Sequence, residues 1–307
     1  MRLHKYILFS ILSLIGVLSC KTAQKSENKS QSQNIGNSKS LLWEITGKGI
    51  SKPSYVYGTI HMIPAQDYFL PKGTLTAIDN SEEMFFEIDM KDMSDMSSLM
   101  GMMNKIFMKD GLTLKDILTK EDYKIANEYF TKMGLPMFML ERIKPMFLSA
   151  FAMTDMNPNS MKDGKIKSYE MEFYEMAKEK NMNTGGLETI EFQIAVFDSI
   201  PYSDQAKMLM ETLKSGDSEN DEFKKMVNIY KQQDVEAMIE MMSSGSSDLG
   251  EHEDILLTKR NINWIPAIIK QAKTKPTFFA VGAGHLGGKN GVLHLLRKEG
   301  YLVKPIK

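Results

Sequence analysis

Short runs of apolar, β-prone residues lie mainly towards the two ends of the chain, and helical spacing of apolar residues dominates between them. The short runs predict strands at residues 41–46, 55–60, 83–90, 183–188, 277–281 and 301–306. The run 83–90 is apolar on both faces, which predicts a central position in a covered sheet. The strand pattern therefore predicts one sheet assembled from distant parts of the chain.

Apolar residues three and four positions apart predict the helices. The predicted helices are 75–80, 114–118, 121–132, 136–151, 167–180, 254–273 and 291–299, with a helical block at 190–242. Strands at both ends and helices in the middle predict the α/β (α+β) class. We expect a mixed central sheet built from N- and C-terminal strands, with helical insertions beside it.

The first twenty residues have the features of an export signal rather than of a folded element. A basic start precedes an apolar stretch, residues 6–18, that is too short for a stable membrane span. The stretch ends in Val-Leu-Ser-Cys at residues 17–20, which resembles a bacterial lipobox, and Cys20 is the only cysteine of the chain. We therefore expect a lipoprotein signal peptide at 1–19 and a lipidated Cys20. The alternative is an ordinary secretory signal with a chance cysteine.

Residues 20–40 are rich in Lys, Ser, Gln and Asn and nearly free of apolar side chains, so they predict a flexible tether. With a lipidated cysteine, the tether predicts a protein anchored to a membrane of the bacterial cell envelope. Residues 41–307 then form the folded domain, which is long enough for a large core with a helical insertion. Removal of residues 1–19 leaves 36 basic and 39 acidic side chains, and the absence of a basic stripe argues against a nucleic-acid partner.

Two Gly-x-x-His motifs end at His61 and His285, and each follows an apolar, β-prone run. Each histidine is expected just past the end of a strand, where a glycine without a Cβ makes room for a ligand. Glu87 and Glu188 lie in two acidic motifs between the histidines. Two imidazoles and two carboxylates at strand ends can form a metal site or an acid–base site.

Each acidic candidate also has a purely structural interpretation. Glu87 shares its predicted strand face with Asp89, and a carboxylate in such an apolar strand must be paired, protonated or metal-bound. A structural ion pair would join Glu87 to Arg142 or Arg260. Glu188 could instead complement the N-terminus of the helix that follows it. Arg260 could bind a substrate carboxylate or serve as the partner of Glu188.

Five motifs follow one another along residues 41–306: Gly-Thr-Ile-His, Phe-Glu-Ile-Asp, Gly-Leu-Glu-Thr followed by Gln193, Arg260-Asn261 and Val-Gly-Ala-Gly-His-Leu-Gly-Gly-Lys-Asn-Gly-Val-Leu. Their order resembles the TraB/GumN family, which includes the membrane-associated Tiki metalloproteases of animals. The histidines of the family match His61 and His285. Its acidic positions match Glu87 and Glu188. The resemblance implies an erythromycin-esterase/ChaN-like fold.

The resemblance and the candidate residues together predict a membrane-tethered, metal-dependent hydrolase, and first of all a peptidase. The two histidines and one or both glutamates would bind Mn²⁺, Co²⁺ or Zn²⁺, and a carboxylate would act as general base towards a peptide or small-molecule substrate. One alternative is a non-catalytic lipoprotein that binds haem, iron or another ligand through the same histidines. Another is acid–base catalysis without a metal.

Overall fold

The computed structural model describes residues 39–92, 101, 104–152, 164–215, 217–244 and 252–307. The predicted signal peptide, Cys20 and nearly all of the predicted tether lie outside the described residues. The strands are β1 (Leu42–Thr46), β2 (Ser54–Thr59), β3 (Ile63–Pro64), β4 (Glu83–Phe86), β5 (Ile166–Lys167), β6 (Asn183–Gly186), β7 (Thr277–Gly282) and β8 (Leu302–Pro305).

Six of these strands form one mixed sheet in the order β6-β4-β7-β2-β1-β8, and β3 pairs with β5 apart from it. Strands β6, β4, β7 and β2 run parallel to one another, whereas β1 is antiparallel to β2 and β8. The predicted α/β class with a mixed central sheet is therefore confirmed. The sheet also takes in β6 from the middle of the chain, and the apolar β4 has a neighbour on each side.

The helices surround this sheet and form most of the chain between its strands. They are α1 (Thr74–Asp79), α2 (Leu114–Ile117), α3 (Lys120–Lys132), α4 (Met137–Leu140), α5 (Pro145–Ala152), α6 (Tyr169–Glu179), α7 (Ile190–Asp198), α8 (Tyr202–Ser215), α9 (Asp217–Lys231), α10 (Val235–Ser244), α11 (Lys259–Thr274) and α12 (Val292–Lys298). A π-helical turn, Asp254–Thr258, leads into α11. A 3₁₀ turn, Ala283–His285, follows β7.

Two of the predicted helical stretches are broken in the structure. Residues 136–151 form α4 and α5, and residues 190–242 form α7 to α10. Pro145 begins α5 and a proline likewise precedes α8, because proline has no N–H to donate inside a helix. The helix predicted at 167–180 begins only after Ser168, whose side chain caps α6 by accepting a backbone N–H.

The strands that precede Glu87 and Glu188 are shorter than predicted. Strand β4 ends at Phe86 and β6 ends at Gly186, so both glutamates lie just beyond their strands. Beside β4, the backbone N–H of Gly282 donates to the Glu87 carboxylate at 2.9 Å. The Glu87 side chain therefore contacts β7 just beyond the end of β4.

Asp89 does not share a strand face with Glu87, because β4 has already ended at that point. Its carboxylate accepts hydrogen bonds from the hydroxyl of Thr184 at 3.1 Å and from the backbone N–H of Lys91 at 3.1 Å. The prediction of a strand through residue 90 was therefore wrong. Side-chain alternation applies only within a strand, and so it does not relate these two acids.

Two clusters of buried apolar side chains hold the fold together. The first lies around the sheet and includes the fully buried Val56, Phe278 and Phe279. The second lies among α2 to α5 and α8, where Phe130 and Leu209 are fully buried. We call residues 104–152 together with α8 the helical lobe. It is the helical insertion that the sequence predicts.

Candidate active site

Four parallel strands end at the same edge of the sheet, and each is closely followed by one of the predicted site residues. Glu188 follows β6 and Glu87 follows β4. His285 follows β7 and His61 follows β2. The carboxyl ends of parallel strands are where open α/β sheets bind ligands. The strand order therefore places the two glutamates side by side and the two histidines side by side along that edge.

Arg260, in the first turn of α11, binds both carboxylates. Its Nη2 donates to Oε2 of Glu87 at 2.5 Å and to Oε1 of Glu188 at 2.6 Å, and its Nε donates to Glu188 at 3.0 Å. Its Nη1 donates to the carbonyl of Leu256 at 3.1 Å and lies 3.2 Å from Nε2 of His285. The predicted structural pairing of Arg260 with Glu87 and Glu188 is thereby confirmed.

Glu188 is almost fully buried, with 4% of its side chain exposed. Besides Arg260, its carboxylate accepts hydrogen bonds from the indole N–H of Trp264 at 2.9 Å and from the amide of Gln193 at 3.2 Å. The following helix α7 is capped by Thr189, whose hydroxyl accepts a backbone N–H of the first turn. Glu188 therefore holds Arg260 in place and does not cap that helix.

Glu87 is kept ionised by its neighbours. Burial alone would raise its pKa, but the neighbouring His285, Arg260 and His61 outweigh burial. The backbone N–H of Gly282 donates to Oε1 at 2.9 Å and adds to this effect, so the pKa of Glu87 lies well below its usual value. Glu87 is therefore a carboxylate at physiological pH and a weak proton acceptor.

His285 is buried and held in one tautomer. Its Nδ1 lies 2.6 Å from Oδ1 of Asn261, and because an amide oxygen only accepts, Nδ1 carries the proton and Nε2 does not. Burial lowers the pKa of His285 to about 3, so the imidazole is neutral at physiological pH. The ring packs on Trp264 with centroids 4.4 Å apart. The unprotonated Nε2 lies 3.6 Å from Oε1 of Glu87.

His61 is open to solvent, with 74% of its side chain exposed. Its Nδ1 lies 3.2 Å from Oε1 of Glu170, in the first turn of α6, and this carboxylate raises the pKa of His61. Burial would raise the pKa of Glu170, but His61 and the hydroxyl of Thr59 outweigh burial and lower it. His61 also contributes to the low pKa of Glu87. It therefore interacts electrostatically with the buried cluster, by which we mean Glu87, Glu188, Arg260 and His285.

Sequence reasoning missed Glu170 and Trp264. Glu170 is an acid in the first turn of an amphipathic helix, a position where acids commonly complement the helix dipole, so its pattern did not indicate a site. Trp264 lies four positions after Arg260, and this spacing places both on one face of α11. That spacing is the sequence signal that could have identified Trp264.

The glycines of the two Gly-x-x-His motifs leave room for protein atoms. A Cβ at Gly58 would lie 2.8 Å from a methyl group of Leu286 and 3.1 Å from the Cα of Ala283. A Cβ at Gly282 would lie 3.3 Å from Oε1 of Glu87. Gly58 lets the two motifs pack together, and Gly282 lets Glu87 approach the backbone of β7. The structure therefore shows what these glycines admit from the protein, and the room for a ligand stays a prediction.

The donors of a metal site are present but do not form a complete set in this structure. Nε2 of His285 faces Oε1 of Glu87, whereas His61 contacts Glu170 through Nδ1. Among the residues described, no group of three or more His, Cys, Asp or Glu side chains is placed to hold a metal ion. The donor chemistry nevertheless fits one, because each imidazole is held through Nδ1 by an oxygen acceptor, as metal-binding imidazoles usually are.

The model of the TraB/PrgY/gumN family matches residues 41–305 of the chain. The chain belongs to this family. The resemblance that the ordered motifs indicate is thereby confirmed. No solved structure matches the chain, so the ChaN-like likeness remains an expectation of the family resemblance. Within the described part of the chain, no helix has both the length and the apolar character needed to cross a bilayer.

Relatives of this TraB/PrgY/gumN protein are named metalloproteases. Metalloprotease TIKI2 of Xenopus tropicalis is 24% identical over 324 aligned positions, covering 86% of this chain and 59% of the relative. Metalloprotease TIKI1 is 25% identical in Danio rerio and 24% identical in Homo sapiens, covering 86% of this chain and 63% and 61% of those relatives. The chain thus spans about three fifths of their length. These relatives support a hydrolase as the class of function to test.

Proposed function

We propose that this chain is a metal-dependent hydrolase that cleaves peptides at the carboxyl edge of its sheet. One observation carries the proposal: the unprotonated Nε2 of His285 faces the ionised Oε1 of Glu87 at 3.6 Å, at the ends of two neighbouring parallel strands. His61 follows the next strand along the edge, and its exposure leaves this side open to a substrate. The names of the Tiki relatives support peptides as the first substrate class to test.

The charge balance of the buried cluster supports the binding of a cation at this site. Glu87 and Glu188 carry two negative charges, Arg260 carries one positive charge and His285 is neutral. One negative charge is left over, and buried charge is costly unless it is compensated. A divalent cation beside Glu87 would compensate it. The oxygens of Glu188 are used by Arg260 and Trp264, so we assign Glu188 to holding Arg260 and not to binding the metal.

In this proposal His61, His285 and Glu87 would hold the metal, through Nε2 of each imidazole and Oε1 of the carboxylate. At His285 the metal would displace the N–H of Arg260 Nη1, which lies 3.2 Å from Nε2. When bound, Mn²⁺, Co²⁺ or Zn²⁺ lowers the pKa of a water ligand and polarises a scissile carbonyl. The chain prepares its groups in advance, because Asn261 holds the proton of His285 on Nδ1 and Arg260 fixes Glu87. The low pKa of Glu87 suits a ligand better than the general base that the sequence suggests.

We also propose that lipidation of Cys20 anchors the enzyme to a membrane of the bacterial cell envelope. The lipobox-like residues 17–20 support this proposal, as does the polar composition of residues 20–40. An anchored hydrolase would act on peptides that reach the same membrane surface. The anchor and the hydrolase are separate proposals, since either can hold without the other.

The first experiment measures bound metal in the full-length protein, purified in detergent, after incubation with Mn²⁺, Co²⁺ or Zn²⁺ and dialysis. We expect about one equivalent of one of these metals in the wild type and only traces in the double variant His61→Ala/His285→Ala. The matched control is His294→Ala, which removes a histidine of α12 outside the site and should leave the bound metal unchanged.

The same preparations are then assayed for cleavage of a peptide library with and without a chelator. We expect cleavage only in the metal-loaded wild type and control.

Three results would contradict parts of this proposal. Cleavage that persists in chelator without bound metal would overturn metal dependence and favour acid–base catalysis by the same residues. Metal binding without cleavage of any peptide would overturn the peptidase assignment. A Soret band on addition of haem, lost in His61→Ala, would identify a haem-binding protein instead.

A further inference from the structure

A second, largely buried carboxylate lies on the open side of the site. Glu170 has 17% of its side chain exposed, and its Oε1 accepts the hydroxyl of Thr59 at 2.6 Å and lies 3.2 Å from Nδ1 of His61. Its Oε2 accepts the hydroxyl of Ser168 at 3.1 Å. Thr59 is the last residue of β2 and Ser168 caps α6. The carboxylate is therefore held between the strand that leads to His61 and the helix that carries Glu170.

This contact determines which nitrogen of His61 is free. An ionised carboxylate accepts hydrogen bonds and cannot donate them, so its contact with His61 requires a proton on Nδ1. Nε2 is then the nitrogen that can exchange its proton or bind an ion. His285 has the same arrangement on the buried side, with Oδ1 of Asn261 as the acceptor. Both imidazoles of the site are thus held through Nδ1 by a side chain from another element.

We propose that Glu170 is the positioning residue of His61, which holds the Nδ1 proton and presents Nε2 to a bound cation. The part of this inference that concerns cation binding rests on the proposed function, whereas the control of the His61 tautomer by Glu170 does not. The partners of the two imidazoles differ in charge, because Asn261 is neutral and Glu170 is anionic. An anionic partner raises the basicity of the ligand nitrogen, so His61 is the stronger donor of the two.

A purely structural role for Glu170 would give a different experimental result. Any acid in the first turn of α6 complements the helix dipole, so its loss could lower stability without affecting His61. Glu172 lies in the same turn and carries the same charge, and its carboxylate pairs with Lys167 at 2.9 Å. The variant Glu172→Gln is therefore the matched control for Glu170→Gln.

The test reads the His61 tautomer by ¹⁵N NMR of histidine-labelled full-length protein in detergent, at about pH 10, which is above the raised pKa of His61. The chain has five histidines, and the variant His61→Gln assigns the His61 signals. We expect the proton on Nδ1 in the wild type and in Glu172→Gln. In Glu170→Gln the side-chain amide can donate to Nδ1, so part or all of the proton should move to Nε2.

Titration with Mn²⁺ provides the second measurement. We expect Glu170→Gln to bind Mn²⁺ about 10–100-fold more weakly than the wild type, with Glu172→Gln unchanged. Glu170→Asp, which keeps the charge, should recover part of the affinity. An unchanged His61 tautomer together with unchanged Mn²⁺ affinity in Glu170→Gln would overturn the inference.

Two further results remain decisive. If Glu170→Gln does not fold, Thr59→Val removes the hydroxyl from Oε1 and should shift the His61 signals, and the absence of any shift would overturn the inference. If no form of the protein binds metal, the metal-dependent hydrolase fails. The His61 tautomer in Glu170→Gln then decides the role of Glu170 by itself.

Discussion

At the scale of single residues, Arg260 organises the buried half of the site. Its five N–H groups are directed to Glu87, Glu188, His285 and the carbonyl of Leu256. Because all five are engaged, Arg260 is not free to bind a substrate carboxylate, which was one of its two predicted roles. Its role is to offset one of the two negative charges of the buried carboxylates and to fix their directions.

The variant Arg260→Met should destabilise the fold by about 3–5 kcal/mol, because two buried carboxylates lose their cationic partner. Thermal unfolding of the full-length protein measures this as a lower Tm at pH 7. The loss should shrink in acid, since protonation removes the uncompensated charge.

The control for this variant is Arg142→Met. Arg142 is exposed, and its guanidinium lies over the ring of Phe107 at 5.7 Å. We expect a change within about 0.5 kcal/mol. Equal Tm values for Arg260→Met and the wild type would show that the cluster is not held by Arg260.

At the scale of elements, α7 connects the site to the helical lobe. Gln193 on α7 donates to Glu188, and Asp198 at the end of α7 pairs with two lysines of the lobe, Lys109 at 2.9 Å and the buried Lys144. One helix of nine residues thus contacts the site carboxylates at its start and the lobe at its end. Loss of the contact at Asp198 would loosen the lobe from the rest of the domain.

The variant Asp198→Asn should lower stability by about 2 kcal/mol at pH 7, because Lys144 loses its charged partner. Burial would raise the pKa of Asp198, but the hydrogen bonds from Lys144 and Lys109 outweigh burial and lower it. An acid with a lowered pKa stabilises the folded state above its usual value of 3.8, and this stabilisation is lost as the pH falls through the lowered pKa. The Tm values of the variant and the wild type should therefore converge as the pH falls through the lowered pKa of Asp198.

Asp79→Asn is the matched control for the acid dependence. Asp79 is exposed and pairs with Lys180 on the surface. We expect a change within about 0.5 kcal/mol at every pH. A Tm difference for Asp198→Asn that stayed constant into acid would mean that its charge does not contribute to stability.

The close approach of the segments that follow β4 and β6 depends on Gly186. A Cβ there would lie 2.6 Å from the backbone N of Asp89 and 2.8 Å from the backbone O of Glu188. We expect Gly186→Ala to cost about 1–3 kcal/mol and to weaken metal binding, because the backbone that carries Glu188 must shift. Chemical unfolding and metal titration measure the two effects. In Gly101→Ala, where a Cβ meets no described atom within 4 Å, neither property should be reduced.

At the scale of the whole molecule, the catalytic proposal and the membrane proposal concern different parts of the chain. The site is built within the residues that match the family model, 41–305, whereas the proposed anchor is Cys20. The two can therefore be separated by experiment.

The variant Cys20→Ser should move the protein from the membrane fraction to the soluble fraction, because one residue carries the lipid. The Tm and metal content of the domain should not change. Ser19→Ala, which keeps a small residue before the cysteine, should remain in the membrane fraction. Membrane retention of Cys20→Ser would argue against lipidation at this position.

The sequence by itself determined the fold class, the family and the four residues at the strand ends. These follow from local information: apolar runs mark strands, and each Gly-x-x-His or acidic motif is adjacent to its own run. The pairing of β1 with β2 was predictable for the same reason, since both strands lie within one short stretch of chain. Strand ends were less predictable, because contacts from distant parts of the chain, such as that of Gly282 with Glu87, lie at the end of β4.

Only the tertiary structure decided how the site is assembled. Arg260 is 173 residues from Glu87 and 72 from Glu188, and Glu170 is 109 residues from His61. Periodicity reports which face of an element is buried, but it carries no information about which distant element packs against it. The strand order β6-β4-β7-β2 and the packing of α6 and α11 supply that information. They explain why Glu188 holds an arginine and why a glutamate that no motif marked holds the exposed histidine.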